Sequence, residues 1–288
     1  MTSIDMIFNG LVVDTEDGEE LSATCYDVLS SLAREHVLFG EGEYYGMDAG
    51  AIFKDIVAKS GNSVVGYGGN ISTGVIVDAI NLTDSTRLDA MSLLLSIING
   101  GISESATPYH FYAKNGKVIL APYPDFSGDN ILELTDDNVK KISKKTNGYN
   151  YYNCATVIGK DGIRGYFPHK QDSTGEMIDD FPSNPRYHKL ITEYSEKLVG
   201  VASCSLIARS FVRKYSNVVP DITCDIHPDR YDLFTGMPVY VESERYGINR
   251  RYRIADITWE YGVQKTMTLT LSEYKVDKLS DFVAKFSR

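Results

Sequence analysis

Glu41 and Glu43, two residues apart beside Tyr44 and Tyr45, are the carboxylates whose spacing best suits acid–base work. On an extended segment alternation aims i and i+2 the same way, and glycoside hydrolysis needs two carboxylates flanking one bond. The stretch FGEGEYYG is equally what an exposed, glycine-rich acidic loop looks like. Asp172 is a third acid of this kind, in a polar segment. A metal set would draw on Cys224, Asp225, His227, Asp229 and Asp232. On a strand Asp225, His227 and Asp229 share one face, an arrangement that also suits a wet strand edge. The five histidines, His36, His110, His169, His188 and His227, contain no i, i+4 pair of the helical metal-binding kind. There is no Gly-x-Ser-x-Gly elbow, phosphate-binding glycine loop or HExxH motif. The reading is therefore not an enzyme, with no cofactor. Tyr44, Tyr45, Tyr149, Tyr151 and Tyr152 are interface or glycan-stacking candidates, since tyrosine-rich loops serve both purposes.

The elements that must position these residues are mostly strands. In RYRIADITWEYGVQKTMTLTLSEY, Arg251 to Tyr274, Met267, Leu269 and Leu271 alternate with Thr266, Thr268 and Thr270, as on a half-buried strand. The first arm changes phase between Tyr252/Ile254 and Ile257/Trp259/Tyr261, which predicts a β-bulge near Ala255–Asp256. Ile7 to Val13 and Leu21 to Cys25 form a second hairpin around Asp14–Gly18. It echoes the first: Phe8 precedes Gly18 as Tyr252 precedes Gly262, and the return arms end near Tyr26 and Tyr274. Helices are predicted over Tyr26–Leu38, Asp48–Ser60 with Asp48 as N-cap, Leu88–Ile98 stopped by Gly100–Gly101, and Ser195–Tyr215. Tyr109–Ala113 and Lys117–Ala121 make a hairpin across Lys114-Asn115-Gly116, and a long exposed loop follows from His169. Lys140, Lys141, Lys144 and Lys145 form a basic cluster without interleaved arginine or aromatics, the composition of a solvated face.

With 288 residues, 43% hydrophobic and 24% charged, the chain can bury a core in two or more units. No apolar run reaches membrane-span length, and MTSIDMIFNG lacks the pattern of a signal peptide, so assembly in the cytoplasm is expected. Cys25, Cys154, Cys204 and Cys224 have no CxxC spacing and sit in apolar segments, as reduced core thiols do. Of the net charge of −10, residues 1–60 carry twelve acids and three bases, or −9. So acidic a front end repels phosphate and argues against a clamping DNA binder.

The order of parts carries a resemblance. A hairpin ending in ATCYDVLSSL is followed by IFKDIV, then RLDAMSLLLSIINGG leading to YHFYAKNGKVIL. After these come YNYYNCATVIGKDG, a helix, and a closing RYRIADITWEYGVQKTMTLTL. Together they resemble the tail hub proteins of phages and phage-like contractile machines, the group that includes the late control protein D type. The likeness spans nearly the whole chain through apolar spacing and turns. It implies an α+β, β-rich fold of two related small β-barrels of the split-barrel kind, the first apparently incomplete, with α/β inserts between them. The implied domains are residues 1–34 for the end of the first barrel, 35–138 and 139–220 for the inserts, 221–275 for the second barrel and 276–288 for a terminal helix. Asn153, Val157, Gly159, Asp161 and Gly162 would form the strand and turn of the second insert.

The resemblance further implies a structural role in the virion tail, assembled in the host cytoplasm. A homotrimer would form a pseudo-sixfold ring that joins the tail tube or distal tail protein to spike, fibre or baseplate proteins, beside the tape measure protein. DNA would pass without specific binding, no membrane would be involved, and the family has no catalytic residues to transfer. Asp14, Glu16, Asp17, Glu19 and Glu20 become candidates for an acidic channel lining, and Tyr44, Tyr45, Tyr151 and Tyr152 for interfaces. The first hairpin starts so near Met1 that its barrel lacks strands. Another chain would supply them, the true start would lie upstream, or the barrel would be reduced. The alternatives to a hub are a tail-associated hydrolase of glycan or cell wall and a carbohydrate-binding tip protein.

Overall fold

A computed structural model describes residues 11–16, 22–26, 28–61, 66–69, 72–103, 106–114, 116–123, 131–145, 154–167, 169–171, 177–179, 190–215, 221–227, 233–234, 236–260 and 266–272. In chain order the elements begin with β1 (Leu11–Glu16), β2 (Ser22–Tyr26), α1 (Val28–Leu32), β3 (Glu43–Asp48), α2 (Ala49–Ala58), β4 (Gly66–Gly69) and β5 (Ile76–Asn81). Next are α3 (Arg87–Gly101), β6 (Tyr109–Lys114), β7 (Lys117–Pro122), β8 (Leu132–Thr135), β9 (Lys141–Lys145), β10 (Cys154–Ile158) and β11 (Arg164–Phe167). The last are β12 (His169–Gln171), β13 (Met177–Asp179), β14 (Leu190–Tyr194), α4 (Val201–Tyr215), β15 (Asp221–Ile226), β16 (Pro238–Ser243), β17 (Ile248–Glu260) and β18 (Thr266–Ser272). The fold is α+β and rich in strands.

The chain divides into two compact units. One comprises Met6–Ala121 with Tyr152–Ser216, the other Met1–Asp5, Pro122–Tyr151 and Asn217–Arg288. These units cut across the boundaries expected from sequence: β8 and β9 pair into the C-terminal sheet, while most of the two inserts falls in one unit.

Among the described residues the larger unit holds α1 to α4 and five short sheets: β1-β2, β3-β5, β4-β7-β6, β11-β10-β14 and the pair β12-β13. That last pair lies where sequence suggested only a loop. Asp48 caps α2 as expected, its carboxylate accepting from Gly50 N at 2.8 Å and Ala51 N at 3.3 Å. It also accepts from Gly74 N at 2.8 Å, which fastens the approach to β5 onto the start of α2. Helix α3 opens with reciprocal bonds between Thr86 and Asp89 and ends at Gly101, in the glycine pair expected to stop it. A Cβ at Gly100 would run into the carbonyl oxygen of Leu206 in α4, so this glycine marks a close helix crossing. Gly165 on β11 does the same on another side of α4, against the backbone of Cys204 and Ser205.

Helix α4 starts at Val201, later than the Ser195 expected, because Asp78 on β5 fixes its first turn. The Asp78 carboxylate accepts from Ala202 N at 3.0 Å and Ser203 N at 3.1 Å, and from the Ser203 hydroxyl. Negative charge at a helix N-terminus is favourable, and the bonds satisfy two otherwise orphaned donors. Asp78→Ala should lower stability by about 1–2 kcal/mol. Asp78→Asn, whose amide oxygen still accepts, should recover part of the loss; denaturant midpoints of the three proteins measure this. Helix α1 is also shorter than expected. Past Leu32 the chain is drawn into pairing, with a bridge between His36 and Thr86 and Val37 N donating to Ser85 O at 2.9 Å.

The smaller unit is one six-stranded sheet in the order β8-β16-β17-β18-β15-β9. Strand β17 carries it: residues 248–253 pair with β16 and residues 253–260 with β18. The register shift between Ile254 and Asp256 falls where the strand changes partner, at the predicted bulge. Flat, the sheet would hold β8 and β9 about 24 Å apart, five spacings of ~4.8 Å. Yet the link from Thr135 to Lys141 reaches only about 21 Å when fully extended, and two bonds to the Thr135 carbonyl shorten it further. The sheet must curl. Its concave core holds Ile222, Cys224, Val239, Val241, Ile254, Met267, Leu269 and Leu271, all 0% exposed, with Trp259 packed alongside. The Met267/Leu269/Leu271 alternation is as the sequence predicts.

Burial pushes the Cys224 thiol up from its ordinary 9.0 to about 12, with Asp225 adding to the effect. The folded state thus favours the neutral thiol, whereas an unfolded chain ionises it near the ordinary value. Its contribution to stability is intact below about pH 9 and lost as pH rises toward 12. The fall in stability between pH 8 and pH 10, measured with denaturant, should be shallower in Cys224→Ala than in the parent (~1 pH unit either side of the ordinary thiol value).

Candidate functional site

Residues 36–48 form the most exposed apolar feature among the described residues. Two stretches of pairing bracket it. Asp84 N donates to Val37 O at 3.0 Å on one side, and Leu82 N donates to Gly42 O at 2.8 Å on the other. Between these clamps Leu38–Glu41 leaves the ladder as a turn closed by Glu41 N to Leu38 O at 3.1 Å. Gly40, with φ +82°, takes the third position, as a type II turn requires. Gly42 permits the pinch at the base, where a Cβ would meet Thr83 N. Val37 is fully buried while Leu38 is 60% and Phe39 93% exposed. The result is a braced protrusion with an apolar tip. Neither residue was singled out from the sequence, where a helix is expected to end at Leu38 and Phe39 has no assigned role. The available signal was Gly40-x-Gly42, one glycine for the turn and one for the close approach.

Glu41 and Glu43, two of the acids considered for catalysis, each have a structural partner. Glu41 lies 3.5 Å from Arg87 Nη2, and Glu35 lies 3.3 Å from Arg87 Nε. That guanidinium, 4% exposed, also donates to Ile56 O at 2.9 Å and Lys59 O at 2.6 Å, closing the C-terminal end of α2. Glu43 accepts from Asn81 Nδ2 at 3.4 Å across the β3-β5 pair. Tyr44 is not an interface residue of this surface: it is 6% exposed and its hydroxyl donates to Asp55 Oδ2 at 2.7 Å. Desolvation, followed by that bond, raises its pKa well above the usual phenol range. Tyr45 does present its ring, at 63% exposure, on a strand that pairs only with β5 among the described residues. Tyr149, Tyr151, Tyr152 and Asp172 lie outside the described residues.

The Cys224–Asp232 segment splits between environments. Cys224 is in the core, Asp225 Oδ1 accepts from Thr268 Oγ1 at 2.8 Å, and β15 ends at Ile226; Asp229 and Asp232 are outside the described residues. Among the described residues no three His, Cys, Asp or Glu side chains gather to hold a metal ion. The lysine cluster belongs to β9, an edge of the curled sheet, with Lys141, Lys144 and Lys145 exposed. Lysines on a sheet edge discourage unplanned strand pairing. Lys144 Nζ donates to Tyr246 O at 3.0 Å, and the Arg245 guanidinium lies 5.5 Å from the Tyr246 ring centre.

Of the acidic residues near the front, Asp14 lies opposite Thr24 and Glu16 opposite Ser22 in the β1-β2 register. Asp17, Glu19 and Glu20 are outside the described residues. In the expected strand-and-turn segment, Val157 is on β10, Gly159 precedes a single 3-10 turn, and Asp161 and Gly162 take φ of +57° and +78° within it. Asn153 lies outside the described residues. A Cβ at Gly159 would meet Leu198 O, so this turn too is held by close backbone contact.

No family model matches the chain, and no curated protein does. Among solved structures its fold is similar to that of the tail protein from Neisseria meningitidis MC58. The likeness has a TM-score of 0.64 at 14% identity and covers 91% of this chain and 78% of that one. It is also similar to the 43 kDa tail protein of prophage MuSo2 from Shewanella oneidensis, with a TM-score of 0.61 at 15% identity over 93% and 77% of the two chains. A third likeness is to the prophage tail protein gp18 from Listeria monocytogenes EGD-e, with a TM-score of 0.55 at 12% identity over 96% and 81%. At these identities the likeness is one of fold.

Proposed function

We propose that this chain is a structural component of a phage-type virion tail, a hub rather than an enzyme. Three copies form a pseudo-sixfold ring that joins the tail tube or distal tail protein to a tip, spike, fibre or baseplate, near the tape measure protein. DNA passes through its channel without specific binding. The observation that carries this reading is the likeness to a tail protein over 91% of the chain at a TM-score of 0.64.

The two hairpins add support for the duplication such a ring needs. Each has five residues between its arms, 17–21 and 261–265, with glycine second in both. Each first arm carries a register shift, between Val12 and Asp14 in one and between Ile254 and Asp256 in the other. A lone hairpin is marginal in water, and among the described residues β1 and β2 pair only with each other. Strands from a neighbouring chain in the assembled particle complete this unit in our reading. The acidic residues from Asp14 to Glu20 face the channel, where like charge removes the counterion-release drive for DNA binding.

Imaging of particles bearing a label on this chain tests the role. Label at the end of the tail tube nearest the tip is expected; label along the tube, on the head or on no particle contradicts it.

A further inference from the structure

We propose that the outer edge of β2 receives the amino-terminal segment Ser3–Phe8 of a second copy of this chain as an antiparallel strand. This rests on the ring reading above and names what completes the hairpin. The C-terminal sheet supplies the template. In β1-β2 the register skips Val13 and then sets Asp14 opposite Thr24; in β17-β18 it skips Ala255 and sets Asp256 opposite Thr270. Cys25 and Ala23 thereby hold the register positions of Leu271 and Leu269. The far edge of β18 carries β15, antiparallel, with Ile222 opposite Leu271, Thr223 opposite Thr270 and Cys224 opposite Leu269. Among the described residues β2 pairs with β1 alone, which leaves the corresponding edge for an added strand.

Ser3-Ile4-Asp5-Met6 repeats the order of Asp221-Ile222-Thr223-Cys224: polar, isoleucine, polar, sulfur-bearing. Set in the β15 register, Ile4 falls opposite Cys25 and Met6 opposite Ala23. The second pair exchanges its large and small members, Met6 with Ala23 in place of Cys224 with Leu269, a swap that conserves volume. The hairpin's own chain cannot deliver this strand. Phe8 would end near residue 21, whereas Leu11 lies opposite Tyr26, about 17 Å back along the hairpin at ~3.4 Å per residue. The link from Phe8 to Leu11 reaches only about 11 Å. A second copy meets no such limit. Donor segment and acceptor edge are different surfaces, so the contact can repeat around a closed ring of three, as one self-complementary patch cannot.

Ile4→Cys in the full chain, mixed with tail tube protein, oxidised by oxidised glutathione and run without reductant, tests the contact. The introduced thiol and Cys25 of the next copy should join, their two electrons and two protons passing to the glutathione disulfide, to give covalent dimers and trimers. Adding Cys25→Ser should abolish them. In the otherwise unaltered chain Met6→Asp should weaken trimer formation, read by sedimentation, at least about tenfold. A link confined to single chains overturns the exchange between copies. A parent that trimerises, with no link in Ile4→Cys and no loss in Met6→Asp, overturns the strand contact and leaves the hub reading standing. A parent that stays monomeric with tube protein overturns both.

Discussion

Gly100→Ala should destabilise the larger unit by about 3 kcal/mol, at the upper end of the range for overpacking. Two effects compete here, and they differ in sign. Gly100 is inside α3, where alanine is favoured over glycine by about 1 kcal/mol, so helix propensity alone predicts a more stable protein. The crossing with α4 predicts the reverse, because the added Cβ meets the carbonyl oxygen of Leu206. No side-chain rotation relieves a clash with backbone, and separating the helices would open the core around Ile97, Cys204 and Ile207. The steric term should win. Denaturation followed by helical circular dichroism gives the sign directly, and a rise in midpoint would mean that the helices do not approach as described.

Leu269→Ala should cost the smaller unit about 2–5 kcal/mol. Leu269 is fully buried at the middle of β18, paired with Cys224 on one side and Ile257 on the other. Its loss leaves a cavity in the concave face of a sheet whose curl leaves little room to collapse. The contrasting change is Thr270→Val on the wetter face, expected to stay within about 0.5 kcal/mol. Trp259 packs against this core and is the only tryptophan, so its fluorescence reports the transition. Equal effects from the two substitutions would show that the alternation does not divide core from surface.

What could be read in the sequence was set by how local the cause was. The β18 alternation, the bulge at Ala255 and the Asp48 cap each depend on residues within a few positions of one another. They were legible for that reason. The boundaries of α1 and α4 depend on distant partners: residues 84–86 take His36–Val37 into pairing, and Asp78 sets the start of α4. Gly100-Gly101 does end α3, as a glycine pair after an apolar run usually does. Its second role, the crossing with Leu206, was hidden because that partner is more than a hundred residues away. The same limit hid the association of residues 131–145 with the C-terminal sheet, since β8 and β9 are too short and too charged to announce membership of a core.

At the candidate site residue types alone pointed to chemistry without context. Glu41 and Glu43 had suitable spacing for catalysis, but Arg87 and Asn81, more than thirty-five residues on, use them to hold structure. Tyr44 and Tyr45 were inseparable in sequence, and strand alternation with the Asp55 bond separates them, one into the core and one to solvent. Phe39 was overlooked because an exposed aromatic looks, in sequence, like a buried one.

The mass of the chain in solution bears most directly on the proposed role. Sedimentation with increasing amounts of tail tube protein should convert a chain of 32.1 kDa into a species containing three copies, if it is not trimeric already. A chain that remains a monomer throughout, or a monomer that degrades cell-wall glycan, would contradict the hub.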